Sequence, residues 1–119
     1  SIVTDFSHVI EFYGETCPHC VTMKPIVDEV NEALGGEIKR LEVWEHPENE
    51  AIMKKYSELI EMACGGFAAV PSFVNTQTKQ ALCGVQDKET LIALAQGADC
   101  KDNVCQIHSK MPNKPEAAK

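Results

Sequence analysis

The sequence predicts one α/β domain with the element order βαβαββα, in which helices cover both faces of a mixed four-stranded sheet. Three patterns support this fold class. A short run of β-branched and aromatic residues leads directly into an amphipathic helix, and a second strand and helix follow. Such a strand–helix–strand unit favours a right-handed crossover between parallel strands. Two further short strands flank a polar turn, which is typical of an antiparallel hairpin.

The first strand and helix are the best-defined pair. Residues His8–Tyr13 read HVIEFY, a buried-strand pattern that ends at Gly14. The helix opens at Pro18 and carries apolar residues at three- and four-residue steps until Gly35 stops it. Pro25 lies inside this helix and is expected to kink it.

A second strand is predicted over Ile38–Trp44, where apolar and polar residues partly alternate. The next helix is predicted from Pro47 to about Met62, because proline suits a first helical turn and acidic residues there favour the positive end of the dipole. The glycine pair that begins at Gly65 ends this helix.

The remaining predicted elements are a hairpin and a last helix. Val70–Asn75 and Gln80–Cys83 are the strands of the hairpin, on either side of a polar turn. Asp87 is placed to cap the last helix, and Gly97 is placed to stop it.

Length and composition limit the class of function. A chain of 119 residues, 44% hydrophobic and 24% charged, has room for one core and an ordinary globular composition. The net charge of −7 opposes binding to nucleic acid and to anionic membranes. No membrane span is expected, because the apolar runs are far shorter than the ~20 residues it needs. We place one domain at residues 1–106 and expect residues 107–119, which have little to bury, to form a flexible C-terminal tail.

The chemistry is expected at Cys17-Pro18-His19-Cys20, where the first strand delivers a cysteine to the first turn of a helix. Unpaired N–H groups and the helix dipole favour negative charge there, so we expect Cys17 to be the more exposed and more reactive thiol. Cys20 lies one turn further along the same face, close enough to close a small ring with Cys17. Pro18 suits the first turn, and His19, when protonated, would stabilise the Cys17 thiolate.

Two other interpretations of this cysteine pair stay open. Zinc sites use the same spacing, but such a site needs two further ligands, and Cys100 and Cys105 lie far away in the sequence. Two cysteines that only pack in a core would not explain the proline and histidine between them. The strand before the motif and the helix after it favour a redox pair.

At these residues the chain resembles the thioredoxin superfamily, over about His8 to Ala95. The Cys-Pro-His-Cys sequence is similar to that of DsbA-type disulfide oxidases, whereas thioredoxins usually carry Gly-Pro between their cysteines. The predicted domain is therefore expected to be thioredoxin-like. The positions that match the family are Cys17–Cys20, Glu11, Pro25, Val70-Pro71 and Gly84.

The resemblance implies a role for several of these residues. Glu11 stands six residues before the first cysteine, where family members place a buried acid that assists proton transfer, and burial would raise its pKa toward neutrality. Val70 and Pro71 resemble the substrate-binding loop that holds a cis-proline, and Gly84 resembles the glycine that borders the substrate groove. The simpler alternatives are a solvent-facing carboxylate for Glu11 and an ordinary trans proline for Pro71.

The chain also departs from the family pattern. DsbA-type enzymes carry a long helical insertion, whereas only fifty residues separate Cys20 from Val70. The extra N-terminal strand and helix of standard thioredoxins are expected to be absent as well, which leaves a minimal core. Arg40 stands where thioredoxins place a lysine near the buried acid. Arginine stays charged and cannot exchange a proton, but it could pair with Glu11.

Six cysteines are more than a reduced domain of this size needs. We expect Cys64 and Cys83 to act as small buried hydrophobic residues that flank the active face, and whether they form a disulfide stays open. For Cys100 and Cys105, a local disulfide that pins the C-terminal segment and a free pair are both open. Surface or packing roles are expected for the histidines without an evident partner, His8, His46 and His108.

The sequence thus predicts a thiol–disulfide oxidoreductase that exchanges disulfides with protein substrates through Cys17 and Cys20 and is recycled by a redox partner. A stabilised Cys17 thiolate favours oxidase or isomerase activity, in an oxidising compartment, over the reductase activity of thioredoxins and glutaredoxins. Two other classes stay open. One is a module that holds a metal or an iron–sulfur cluster through Cys17 and further cysteines. The other is a chaperone-like module that uses the apolar surface around Pro71. The leading function calls for no cofactor, metal or nucleic-acid partner, and the sequence leaves the compartment itself unassigned.

Overall fold

The computed structural model describes residues 8–106. Four helices and six strands follow one another along this part of the chain. In chain order they are β1 (Val9–Tyr13), α1 (Pro18–Leu34), β2 (Lys39–Glu42), α2 (Pro47–Lys55), α3 (Ser57–Cys64), β3 (Ser72–Asn75), β4 (Gln80–Cys83), α4 (Lys88–Ala95), β5 (Asp99–Lys101) and β6 (Val104–Gln106).

Strands β1 to β4 form one mixed sheet in the order β2-β1-β3-β4. β1 pairs with β2 in parallel, across the crossover helix α1, and with β3 in the antiparallel direction. β3 and β4 form the predicted hairpin. The predicted fold class, an α/β domain around a mixed four-stranded sheet, is therefore confirmed.

Alternation along the strands divides the core into two clusters, because successive side chains of a strand point to opposite faces. Val9 of β1 and Phe73 of β3 belong to the cluster that α1 and α4 cover. Ile10 and Val74, their direct neighbours, belong to the cluster that α2 and α3 cover. Glu11 shares the parity of Val9 and therefore lies on the α1 face of the sheet.

The second predicted strand and the second predicted helix both differ from the structure. β2 ends at Glu42 instead of Trp44, because the Glu42 carboxylate accepts the backbone N–H groups of Trp44 and Glu45 and turns the chain out of the sheet. The helix expected from Pro47 to about Met62 divides at Tyr56, whose backbone leaves the helical conformation. The Tyr56 ring packs at 6.5 Å from the Phe12 ring, so a contact with the sheet sets the break.

The structure adds a small hairpin, β5–β6, after the last predicted helix, where the sequence predicts no strand. Asp102 and Asn103 adopt left-handed conformations at its tip, and Cys100 and Cys105 face each other across it. Pro25 lies inside α1 as expected. The predicted tail at 107–119 and His108 lie outside the described residues. Within the described part of the chain, no helix has the length and apolar character needed to cross a membrane.

Candidate active site

Cys17 caps the N-terminus of α1 and Cys20 lies in its first turn. Cys17 has an extended backbone, with its N–H bonded to the Gly14 carbonyl at 3.2 Å and its carbonyl bonded to the Val21 N–H at 3.0 Å. Pro18 occupies the first helical position, where no partner is needed for a backbone N–H. Both cysteines are free thiols, and a hydrogen bond joins the two side chains. The motif is therefore assembled in its dithiol form.

The expected difference in exposure between the two thiols is small. Cys17 is 6% exposed and Cys20 is 3% exposed, so both side chains are buried. Burial raises the pKa of the Cys20 thiol to about 12, although the Gly14 N–H, which donates to its Sγ atom at 3.4 Å, acts in the opposite direction. Cys20 is therefore a protonated thiol at neutral pH. His19, in contrast, is exposed on the outer side of the first turn.

Glu11 is a buried carboxyl group on the α1 face of the sheet. It is 3% exposed, which excludes the alternative of a solvent-facing edge charge. Burial raises its pKa from 4.5 to about 7, against the attraction of the Arg40 guanidinium, and this confirms the expected direction. Glu11 also acts electrostatically on Cys20. Arg40 makes its ion pair with Asp28 of α1, at 2.5 Å, and reaches Glu11 only through space.

The loop before β3 lies against the Cys17 sulfur. The Val70–Pro71 peptide bond is cis, the conformation that the family resemblance predicts. The Cys17 thiol points at the Val70 carbonyl oxygen, with the sulfur 3.9 Å away. Gly84 lies on the other side of Pro71 and donates its N–H to the Pro71 carbonyl at 2.8 Å, with a left-handed backbone (φ +89°). The structure thus brings Val70 to the first cysteine and joins Gly84 to the same loop through Pro71.

The whole arrangement, from the sheet order to the cysteine pair facing a cis-proline loop, agrees with the sequence comparisons. The family model for thioredoxin matches residues 1–97. The chain belongs to the thioredoxin family. The thioredoxin of Rickettsia felis is 28% identical over 92 residues, a match that covers 75% of this chain and 78% of that protein. The thioredoxins of Rickettsia conorii and Rickettsia bellii are each 27% identical over 92 residues, with the same coverage.

Members of the thioredoxin family are thiol–disulfide oxidoreductases that act on protein thiols and disulfides. This thioredoxin-family chain is therefore a thiol–disulfide oxidoreductase. Its pair of free thiols, one at a helix N-terminus and one buried behind it, is the arrangement that such exchange requires.

The structure corrects the leading expectation for Cys64 and Cys83 and shows the disulfide that the sequence left open. These residues do not act as separate small hydrophobic side chains but form a disulfide, with an S–S distance of 2.07 Å. The pairing arises because α3 packs along β4, which brings the last residues of the two elements together with their Cα atoms 5.1 Å apart. Their separation of 19 residues gives no local sequence signal. The bridge ends one residue before Gly84, so it flanks the active face as expected.

Cys100 and Cys105 form the local disulfide that the sequence left as one of two options. Asn103, between them, donates to the Ala63 carbonyl and accepts the Cys83 N–H at 2.8 Å. The β5–β6 hairpin is thereby joined to both ends of the Cys64–Cys83 bridge.

These disulfides weaken the interpretation of Cys17 and Cys20 as part of a metal centre. Four of the six cysteines pair with each other, which leaves Cys17 and Cys20 as two thiol ligands where a tetrahedral site needs four. Among residues 8–106, no group of three or more His, Cys, Asp or Glu side chains is placed to hold a metal ion.

Sequence reasoning missed two residues beside the site, Glu42 and Trp44. Glu42 is buried at the end of β2 and accepts a hydrogen bond from the Glu15 N–H, two residues before Cys17. It also pairs with His46 at 2.8 Å, although no partner was expected for that histidine. Trp44 lies over Gly14. The one local signal was an acidic residue in a strand immediately before a turn, which by itself does not name a distant partner.

Proposed function

We propose that the Cys17/Cys20 pair passes its disulfide to protein thiols, so that the chain works as an oxidase or isomerase. The observation that carries this proposal is the position of Cys17 at the N-terminus of the 17-residue helix α1, beside Pro18 and His19. The helix dipole favours negative charge at the Cys17 position, and His19, when protonated, would add a positive charge two residues later in the same turn. A stabilised thiolate favours the dithiol form, which makes the disulfide form a stronger oxidant.

The proposed reaction begins with the oxidised pair. A substrate thiolate attacks the Cys17 Sγ atom, the Cys17–Cys20 bond breaks, and Cys20 leaves as a thiolate that takes up a proton. A second substrate thiolate then attacks the substrate sulfur of the mixed disulfide. The substrate disulfide forms, Cys17 leaves as a thiolate, and two electrons have passed to the cysteine pair. A recycling partner with a disulfide or another two-electron oxidant restores the starting state.

Glu11 is the proposed source and acceptor of the Cys20 proton. Its pKa of about 7 leaves both protonation states populated at neutral pH, whereas Cys20, with a pKa of about 12, needs a base to lose its proton. Burial keeps Glu11 out of direct exchange with bulk solvent, so any transfer to the thiol stays inside the domain.

Val70 and Gly84 are the proposed substrate-binding positions. The Val70 carbonyl lies 3.9 Å from the Cys17 sulfur, and an extended peptide can pair with backbone groups there as an added strand. The Gly84 N–H donates to the Pro71 carbonyl and so fixes the loop that carries Pro71. Because Gly84 has no side chain, it leaves space for a substrate beside this loop. Pro71 is buried between them and presents no N–H to the sulfurs.

The two further disulfides support an oxidising setting for this activity. Structural disulfides persist in oxidising compartments and are rare where glutathione and thioredoxin keep thiols reduced. The Cys64–Cys83 and Cys100–Cys105 bridges both lie in the same domain as the active pair.

A reductase is the second candidate, because the curated relatives that match the chain are named thioredoxin. The two directions differ in one assay. The oxidised chain is mixed with a reduced, unfolded substrate protein, and the reduced chain is mixed in parallel with a disulfide-linked one. We expect rapid oxidation of the first substrate and slow reduction of the second, with Cys17→Ser inactive in both. The opposite ranking of the two rates would establish the reductase instead.

A further inference from the structure

The Glu42 carboxylate is a buried acceptor for four donors. Its Oε2 atom accepts the backbone N–H groups of Glu15 at 2.8 Å and Trp44 at 3.2 Å. Its Oε1 atom accepts the Glu45 N–H and the His46 Nδ1–H, each at 2.8 Å. Desolvation opposes ionisation of this group, but the His46 and backbone hydrogen bonds outweigh it and lower the pKa of Glu42 to about 2. Glu42 is therefore a carboxylate throughout the neutral range.

Three of these donors are local, whereas the fourth connects Glu42 to the active-site loop. Glu15 lies 27 residues earlier in the chain, in the turn between β1 and Cys17. The parallel pairing of β1 with β2 ends where Tyr13 lies opposite Glu42, and the Val43 N–H then bonds to the Tyr13 carbonyl at 2.8 Å. Beyond that point no strand residue is left to accept the Glu15 N–H, and the Glu42 carboxylate accepts it instead.

The turn held in this way, Gly14–Glu15, contacts both redox cysteines. The Gly14 N–H donates to the Cys20 Sγ atom at 3.4 Å, and the Gly14 carbonyl accepts the Cys17 N–H at 3.2 Å. Trp44 covers the same turn from outside. A Cβ atom at Gly14 would lie 2.4 Å from the Trp44 ring, so the indole and the glycine backbone are in close contact.

We infer that Glu42 is a positioning residue for thiol exchange, because its carboxylate fixes the Gly14–Glu15 turn and thereby the N–H group that faces the Cys20 sulfur. This inference rests on the proposed roles of Cys17 and Cys20. The Gly14 N–H favours the thiolate of Cys20 over the thiol. When the turn loosens, Cys20 loses that donor, its thiolate becomes scarcer, and its attack on the Cys17 mixed disulfide slows.

The test compares Glu42→Gln with Glu45→Gln. Glutamine keeps the shape of Glu42 but replaces one acceptor oxygen by an NH₂ group that faces N–H donors. Glu45 is an exposed carboxylate three residues after Glu42. Its substitution also removes one negative charge near this turn but leaves the hydrogen bond from the Glu15 N–H to Glu42 intact. Each reduced variant is mixed with an aromatic disulfide reagent that releases a coloured thiolate. The first release reports attack by Cys17, and the second reports displacement by Cys20.

We expect the second release to slow about fivefold to tenfold in Glu42→Gln, the effect of losing roughly one typical intramolecular hydrogen bond, while the first release changes far less. Glu45→Gln should match the parent in both phases. Glu42→Asp, which keeps the carboxylate on a shorter side chain, should recover part of the rate. A parent-like second release in Glu42→Gln would overturn the inference, and so would an equal slowing in Glu45→Gln.

Amide hydrogen exchange tests the positioning role of Glu42 without relying on the cysteine chemistry. The Glu15 amide should exchange faster in Glu42→Gln, while the amide of Val74 in the central strand β3 keeps its parent rate. If Glu42→Gln does not fold, His46→Ala takes its place, because it removes one of the four donors to the Glu42 carboxylate. We then expect a smaller loss of protection at the Glu15 amide and a smaller slowing of the second release. A parent protein that shows no second release would contradict the proposed function. Unchanged Glu15 protection would contradict the positioning role alone.

Discussion

The Cys17 Sγ atom lies 3.9 Å from the Val70 carbonyl oxygen, although 53 residues separate the two in the chain. The contact joins the first turn of α1 to the loop that enters the central hairpin. In the proposed reaction, a peptide bonded to the Cys17 sulfur would therefore lie beside the Val70 backbone. The Cys17 sulfur and the backbone edge proposed to bind peptide are therefore neighbours, and this is the geometric basis for the proposed exchange with protein substrates.

The two thiols are predicted to differ in role when each is replaced by serine. Cys17→Ser should abolish exchange, because Cys20 is buried and its pKa of about 12 keeps it protonated. Cys20→Ser should leave a Cys17–substrate mixed disulfide that accumulates, since no second thiol displaces the substrate. Non-reducing electrophoresis with mass spectrometry of the adduct measures both outcomes. Trapped adducts in Cys17→Ser, and none in Cys20→Ser, would reverse the assigned roles.

Burial of Glu11 predicts a pH-dependent effect on stability. Its pKa is raised from 4.5 to about 7, so the stability it contributes is complete below about pH 4.5 and is lost as the pH rises through about 7. Glu11→Gln removes this loss. Relative to the parent, the variant should gain about 3 kcal/mol of unfolding free energy between about pH 4 and about pH 8.

Urea denaturation of the parent and of Glu11→Gln at both pH values measures this difference. Glu32→Gln provides the control, because Glu32 is an exposed carboxylate on α1. A constant difference between Glu11→Gln and the parent across the pH range would show that Glu11 is not titrating in a buried environment.

Much of the active site could be predicted because its signals are local. A strand that runs into a helix fixes where Cys17 and Cys20 lie, and Glu11 reaches the same region because it belongs to that strand. Strand alternation then decides which face it occupies. The cis form of the Val70–Pro71 bond followed from the family resemblance and not from local sequence, where either isomer is possible.

What the sequence did not reveal depends on contacts between distant residues. The break at Tyr56 reflects the packing of its ring against Phe12, which no helical periodicity encodes. The Cys64–Cys83 bridge requires that α3 pack along β4. In the sequence, Glu42 is an ordinary residue of a predicted strand, and only the fold places the Glu15 N–H within hydrogen-bond distance of it. Each of these features needs the topology before it can be inferred.

Removal of the Cys64–Cys83 bridge is predicted to lower stability without abolishing chemistry. The bridge closes a 19-residue separation, so its loss in the double variant Cys64→Ser/Cys83→Ser should cost about 3 kcal/mol of unfolding free energy. The active pair keeps its helix and its contact with Val70, so exchange activity should persist at temperatures where the variant is folded.

The matched control is Cys100→Ser/Cys105→Ser, which opens a separation of only 5 residues and should cost about 2 kcal/mol in the same chain-entropy treatment. Thermal and denaturant unfolding under non-reducing conditions measure both variants. Complete loss of exchange in folded Cys64→Ser/Cys83→Ser would mean that the second pair takes part in the reaction.

His19 is predicted to tune the direction of exchange. It is exposed on the first turn of α1, so its substitution leaves the buried core unchanged. His19→Pro removes a group that stabilises charge on the neighbouring sulfur, and the couple should become more reducing, by about 30 mV for each tenfold change in the equilibrium constant. Equilibration of parent and variant in the same glutathione buffers measures the shift. Equal potentials would exclude His19 from this role.

The most direct test is the reduction potential of the Cys17/Cys20 couple itself. The protein is equilibrated in glutathione buffers, and the oxidised fraction of the Cys17–Cys20 peptide is read by mass spectrometry after alkylation, separately from the other two disulfides. An oxidase or isomerase predicts a potential of about −180 mV or less negative, as in the strongly oxidising members of this class. A value near the thioredoxin potential of about −270 mV would contradict the proposed direction and establish a reductase.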